Sequence, residues 1–202
     1  MKIPMHYQIS EYDCGPTSLL NMIAYLYHRK SVPQIIFHKI YTMTLDGYTT
    51  NGRTYSRYGT SDEAMENFAD WVNRFREHDT FYLKADVLKG RQVHMASDGR
   101  IEHTLQNGGC AVAKVMLKEP HYVLLTGANT RRQQIRLFDP YYREKAFNRT
   151  DVIWTLEHPK AYNCVLPYSY LEQSARTYYS FGAVRQRLCI LFEKEQDRAL
   201  RK

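Results

Sequence analysis

The apolar pattern of this chain changes period once, at Asn107-Gly108-Gly109, and that change constrains the fold more than any other feature. Before it, apolar residues recur at helical spacing. Leu19, Leu20, Ile23, Leu26 and Tyr27 make one stripe, which predicts a helix from Gly15 to His28. Ser31 followed by Gln34 is a capping-box pattern, opening a short helix through Ile36 and Ile40. Thr60 and Glu63 repeat that pattern ahead of Met65, Phe68, Ala69, Val72 and Phe75, the core face of a helix over 61–77. A shorter helix is expected from Asp98, a good N-cap, to Asn107. Beyond the glycines, 110–117, 122–126 and 134–138 read as three strands of an antiparallel meander, with further strands at 162–166 and 188–192. Helices first and strands second predict an α+β fold, N-terminal helices packed on a C-terminal antiparallel sheet, and not a doubly wound α/β sheet. The Tyr-, Thr- and Gly-rich stretch 41–59 is expected to be a long loop or loose hairpin. The last ten residues read as a solvated tail or frayed helix.

Several function classes drop out early. No apolar run approaches twenty residues, so no membrane span is expected. The start, MKIPMHYQIS, has no apolar core of a secretory signal. Four cysteines without such a signal predict free thiols in a reducing compartment, the cytoplasm. No two cysteines have CxxC spacing, so neither a metal nor another cofactor is expected. The net charge of +7 is spread along the chain and is densest over 131–149. No zinc-finger spacing or RNA-recognition signature accompanies it, so no nucleic-acid partner is expected.

Cys14 is the first residue that points to chemistry. It stands at the start of the first predicted helix, where unpaired N–H groups and the helix dipole stabilise a thiolate. Gly15 leaves the sulfur unobstructed, and Pro16 suits the first helical turn. The same string also fits a small buried hydrophobe. Cys110, Cys164 and Cys189 sit in strand-like runs and read as core filling. A thiol nucleophile needs a base, and the base an orienting group. His121 opens one predicted strand and Asp139 closes the next. A hairpin symmetric about Thr130 would set them opposite each other, within reach of a hydrogen bond. Each alone has a plainer reading: His121 as a strand-edge residue, Asp139-Pro140 as a turn opener. An oxyanion hole could use the Cys14 amide and the side chain of Gln8, six residues earlier, although Gln8 could equally lie on the surface.

Taken in order, these blocks resemble a known family. Gln8, DCGPTSLL at 13–20, GTS at 59–61, GGCAVAKV at 108–115, HYVLLTG at 121–127 and FDPYY at 138–142 are similar to the papain-like cysteine peptidases that trim double-glycine leaders from bacteriocin precursors. The resemblance covers about residues 5–142. It implies a papain-like fold, with Cys14 as nucleophile, His121 as general base and acid, Asp139 as orienter and Gln8 in the oxyanion hole. Many members carry a second cysteine four residues after the nucleophile; here that position is Ser18. Leader-processing members are fused to a transporter with an ATPase, whereas this chain has no GxxxxGK[ST] loop. It resembles a stand-alone relative whose partner is a peptide or protein substrate.

The division expected is a catalytic core over 1–142 and a C-terminal extension over 143–202 packed on the same domain. Two other readings share the sequence: an acyl or peptidyl transferase using the same thiol, and a non-catalytic peptide-binding module. The basic stretch 131–149 borders Asp139 and is expected to draw acidic peptides or free carboxylates to the site.

Overall fold

The computed structural model describes residues 3–46, 59–75, 81–96, 99–117, 119–145 and 147–194. Three helices come first: α1 (Cys14–Leu26), α2 (Gln34–Thr44) and α3 (Asp62–Arg74). Strand β1 (Leu83–Lys89) and the short helix α4 (Arg100–Gln106) lead to the meander β2 (Cys110–Met116), β3 (Pro120–Asn129) and β4 (Gln134–Phe138). Then come β5 (Ile153–Trp154), β6 (Cys164–Pro167), the single turn α5 (Tyr168–Leu171) and β7 (Leu188–Lys194). The strands form one antiparallel sheet in the order β1-β7-β2-β3-β4-β6-β5. The fold is α+β, as the period change implies. Two strands break the simple order: β1 precedes α4, and β7 enters between β1 and β2.

The sheet is buried on both faces. Helices α1 to α3 cover one, packing Leu19, Met22, Phe68 and Val72 against Val112, Tyr122, Leu124, Ile190 and Phe192. The other face holds Ala111, Val115, Val123, Leu125, Leu137 and Leu191 under α4, α5 and the segment around Tyr179 and Phe181. A strand covered on both sides is apolar at successive positions, which is why CAVAKV and YVLLT read as runs. Edge strand β1 differs. It alternates Leu83 and Ala85 with exposed Lys84 and half-buried Asp86, and such charges discourage edge-to-edge pairing.

The helix starts differ from expectation in informative ways. Ser31 does not cap α2. It closes a 3-10 turn by donating its hydroxyl to the His28 carbonyl, and Pro33 takes the N-cap place. At α3 the cap is Ser61, whose Oγ accepts from the Ala64 N–H at 3.0 Å. Thr60 is spent on a tertiary contact, donating to the Thr44 carbonyl. The N-cap of α4 is Gly99; Asp98 lies outside the described residues. In the expected loop 41–59, residues 41–44 complete α2, and 47–58 lie outside the described residues. So do 76–77 of the third expected helix and the tail from 195.

Candidate active site

Cys14 is the first residue of α1 and is 7% exposed. Asp13 precedes it as N-cap, but its carboxylate faces backwards. It accepts hydrogen bonds from the N–H groups of Ile9 (3.1 Å) and Ser10 (2.8 Å) and from the Ser10 hydroxyl. Burial raises the Asp13 carboxyl; those hydrogen bonds outweigh it and hold the group below its ordinary value. The loop before the thiol is thereby tied to the helix start. The Cys14 amide belongs to the first turn, whose donors have no partner inside the helix. A second element presses on this turn. A Cβ on Gly15 would lie 2.2 Å from Thr60 Oγ1, and one on Gly59, at φ +58°, would lie 2.4 Å from the Tyr12 carbonyl oxygen. The GTS block is therefore a packing surface for the turn that carries the sulfur.

Helix α1 is pinned from both sides. The Ser18 hydroxyl donates to the Tyr122 carbonyl at 3.0 Å, fixing α1 against β3 one residue from His121. The Asn21 side chain accepts from the His6 N–H (2.7 Å) and donates to the His6 carbonyl (2.9 Å). The N-terminal segment then runs beside the end of β4. Gln8 N–H donates to the Pro140 carbonyl at 2.9 Å, and the Tyr7 ring packs on Phe138. Gln8 is thus held one residue from Asp139 along the opposite strand end. Its Nε2 donates to the Ser10 carbonyl at 2.7 Å, and its buried Oε1 has no hydrogen-bond partner among the described residues.

His121, at the start of β3, is 7% exposed. Its Nε2 donates to Asp139 Oδ1 at 2.8 Å, which leaves Nδ1 outside that bond, and the Cys14 thiol lies near enough to act on the ring electrostatically. The register that brings the pair together is not the symmetric one. The ladder sets Leu124 opposite Phe138, and a bulge between Leu125 and Gly127 shifts the pairing. His121 and Asp139 meet through their side chains across a strand end, beyond the last paired residues. Burial opposes charge on His121. The Asp139 carboxylate, its hydrogen bond to the ring and the nearby Cys14 outweigh it and push the imidazole up to about 10. Burial likewise works against a charged Asp139, but His121 and hydrogen bonds from His121, Tyr179 and the Tyr141 N–H hold it below the usual carboxylate range.

Asp139 is fully buried and its backbone is clamped. Asn163 accepts from the Asp139 N–H and donates to the Asp139 carbonyl, both at 2.8 Å. Oδ1 also accepts from the Tyr141 N–H at 2.9 Å, and Oδ2 accepts from the Tyr179 hydroxyl at 2.6 Å. Arg143 stands 3.6 Å from Oδ2, its guanidinium over the rings of Phe147 and Tyr141. Neither Asn163 nor Tyr179 stands out in the sequence, and Arg143 does so only as part of the basic stretch. No local pattern marks them, because their partner lies 24 and 40 residues away.

The other cysteines are buried. Burial pushes the Cys189 thiol up; burial and then the Asp139 charge do the same to Cys164. Among the described residues, no group of His, Cys, Asp and Glu side chains could hold a metal ion. Nor is any described helix long and apolar enough to cross a membrane. The basic stretch 131–149 does not border the site as a unit. Arg131 and Arg132 lie in the β3–β4 turn, some ten residues of strand from His121, or about 30 Å at the usual rise per residue. Arg143 alone is placed against Asp139 by an ion-pair contact.

A largely apolar groove of about 730 Å³ opens beside the thiol-bearing turn. Ile9, Pro16, Leu20, Phe37 and Leu45 line it, but Cys14 and His121 do not. A base held by a buried carboxylate near a thiol can take the thiol's proton and deliver a proton to a leaving group. A family model described as the Peptidase C39 like family matches residues 1–178. The crystal structure of the peptidase domain of Streptococcus mutans ComA is similar to this chain, at 12% identity and a TM-score of 0.41. That match covers 95% of this chain and 99% of the other. No curated protein matches the chain.

Proposed function

The chain belongs to the Peptidase C39 like family and is a cysteine-type peptidase, and from that premise we propose that it cuts peptide bonds with a Cys14–His121–Asp139 triad and an oxyanion hole that includes Gln8. The observation that carries the reading is the buried 2.8 Å contact between His121 Nε2 and Asp139 Oδ1, with the Cys14 thiol near enough to act electrostatically on the same ring.

The thiolate of Cys14 attacks the scissile carbonyl carbon, forming a C–S bond and an oxyanion. The Cys14 amide and one Nε2 hydrogen of Gln8 receive that oxyanion; the other hydrogen is held by the Ser10 carbonyl. The C–N bond then breaks and the His121 proton passes to the leaving nitrogen, leaving an acyl thioester. Water next gives a proton to His121 and its hydroxide to the acyl carbon. The C–S bond breaks, the carboxylic product departs, and the thiolate–imidazolium pair returns. Asp139 holds the ring orientation and the imidazolium charge throughout.

Iodoacetamide tests the reading without a known substrate. At pH 7 Cys14 is expected to alkylate at least tenfold faster than Cys110, Cys164 or Cys189, and His121→Ala should remove that advantage. Equal rates at all four thiols would refute the activated pair. A catalytic thiol at Cys14 has to stay reduced, which suits a reducing compartment, and the proposal puts the enzyme in the cytoplasm. An alkaline phosphatase fusion, active only after export, should stay inactive; an active fusion overturns that location.

A further inference from the structure

Tyr179 lies between α5 and β7, one residue beyond the stretch that the family model matches. Its side chain is fully buried, and its backbone adopts φ +62°, a region that non-glycine residues seldom occupy. Neighbouring strands impose that conformation. The Tyr179 N–H donates to the Met116 carbonyl at 2.6 Å, and the Met116 N–H donates to the Ser180 carbonyl at 2.8 Å. The Phe181 N–H donates to the Leu171 carbonyl at 2.7 Å, and Phe147 packs edge-on against the phenol ring. A buried residue held in an unusual conformation, with its hydroxyl 2.6 Å from a triad carboxylate, points to a role at the site.

We infer that Tyr179 is a positioning residue, whose hydroxyl fixes the outer oxygen of Asp139 so that the inner oxygen stays on His121 Nε2 and the ring stays turned toward Cys14. This rests on the triad reading above. The terminal torsion of an aspartate is broad and two-fold, so one bonded oxygen does not define its plane. Oδ1 is shared between His121 and the Tyr141 N–H, and Oδ2 has Tyr179 at 2.6 Å and Arg143 at 3.6 Å. With both Asp139 and Tyr179 at 0% exposure, solvent is not at hand to replace the phenol. Among the described residues, the charged and titratable groups around Asp139 are His121 on β3, Arg143 after β4, Cys164 on β6, and Tyr179 itself. Cys14 on α1 faces His121.

The test is a titration of the His121 imidazole by NMR in the full chain, wild type against Tyr179→Phe. The wild-type midpoint is expected near 10. The variant keeps the ring and loses the donor. With the carboxylate free to turn off Nε2, its midpoint should fall by about one unit, a tenfold loss of proton affinity. A rise, the sign expected if the carboxylate stays on Nε2 and only loses a donor, overturns the inference. Altered stability alone would leave that midpoint unchanged in the folded protein, so coincident titrations overturn the inference. Cys14 alkylation is measured alongside. If Cys14 keeps its rate advantage while the titrations coincide, Tyr179 fails and the triad stands. If the advantage is absent in wild type, the triad itself fails. Should Tyr179→Phe not fold cooperatively, the Tyr179 13Cζ resonance is followed in the wild-type chain as His121 titrates. Movement at the shared midpoint supports the link, and a flat resonance overturns it.

Discussion

At the scale of single residues, the site is an exercise in holding charge inside a protein. His121 and Asp139 are both buried, and each would be neutral there alone. Paired, the imidazole is raised and the carboxyl lowered, and this makes stability depend on pH with a definite sign. The stabilisation from a raised histidine is complete below its unfolded value near 6.5 and is lost as pH climbs to about 10. The stabilisation from a lowered aspartate is present above the ordinary carboxylate value and is lost as pH falls through the lowered one. Urea unfolding should therefore show stability declining between pH 6.5 and 10, with the slope reduced in His121→Asn; parallel slopes would contradict the buried ion pair. Gln8 gives a kinetic prediction. Its backbone is tied to Pro140 and its side chain to Ser10, so Gln8→Ala should lower kcat by roughly a hundredfold while KM changes little. A rise in KM with kcat unchanged would instead make Gln8 a substrate-binding residue. Cys14, His121 and Asp139 stand out in the sequence as candidates because each sits at a recognisable boundary: a helix start, a strand start, a turn. Gln8 sits at none and gains weight only beside the resemblance. Tyr179 and Asn163 do not stand out, because a tyrosine between short elements and an asparagine before a strand have many uses.

At the scale of elements, the turn carrying the thiol depends on a partner distant in sequence. Gly15 lies directly against Thr60, and Thr60 holds the end of α2 through the Thr44 carbonyl. Gly15→Ala should therefore cost about 1–3 kcal/mol of stability, as overpacking does. Loss of the α3 cap in Ser61→Ala should cost about 1 kcal/mol. Only the first should also slow alkylation of Cys14, because only the first displaces the turn; an unchanged rate in Gly15→Ala would show the turn to be adaptable. Helix α3 is fixed to β1 by Asn73, which accepts from the Ala85 N–H and donates to the Ala85 carbonyl, both at 2.8 Å. The capping signals located α3 but assigned its cap one residue early. Thr60 and Ser61 are both good caps, and the contact to Thr44 decided which was free to act.

At the scale of the whole molecule, the last strand lies inside the sheet. β7 pairs with β1 on one side and β2 on the other, and β6 pairs with β4. We propose that residues 143–194 belong to the same folding unit as 1–142. A chain ending at Tyr142 would leave the edges of β1 and β2 without their β7 partner and Asp139 without Asn163 or Tyr179. It should show no cooperative unfolding transition by circular dichroism. A cooperative transition together with reactive Cys14 would mark the later residues as dispensable. The sequence by itself determined the periodic helices, the meander and the residue types at the candidate site, because those follow from local propensity and from spacing along one element. The tertiary structure decided the insertion of β7, the bulged register that joins His121 to Asp139, and the distance of Arg131 and Arg132 from them. It also decided which buried side chains hold the Asp139 carboxylate. Such choices depend on contacts between residues far apart in the chain, where packing and hydrogen-bond satisfaction of the whole core, and not local preference, select the arrangement.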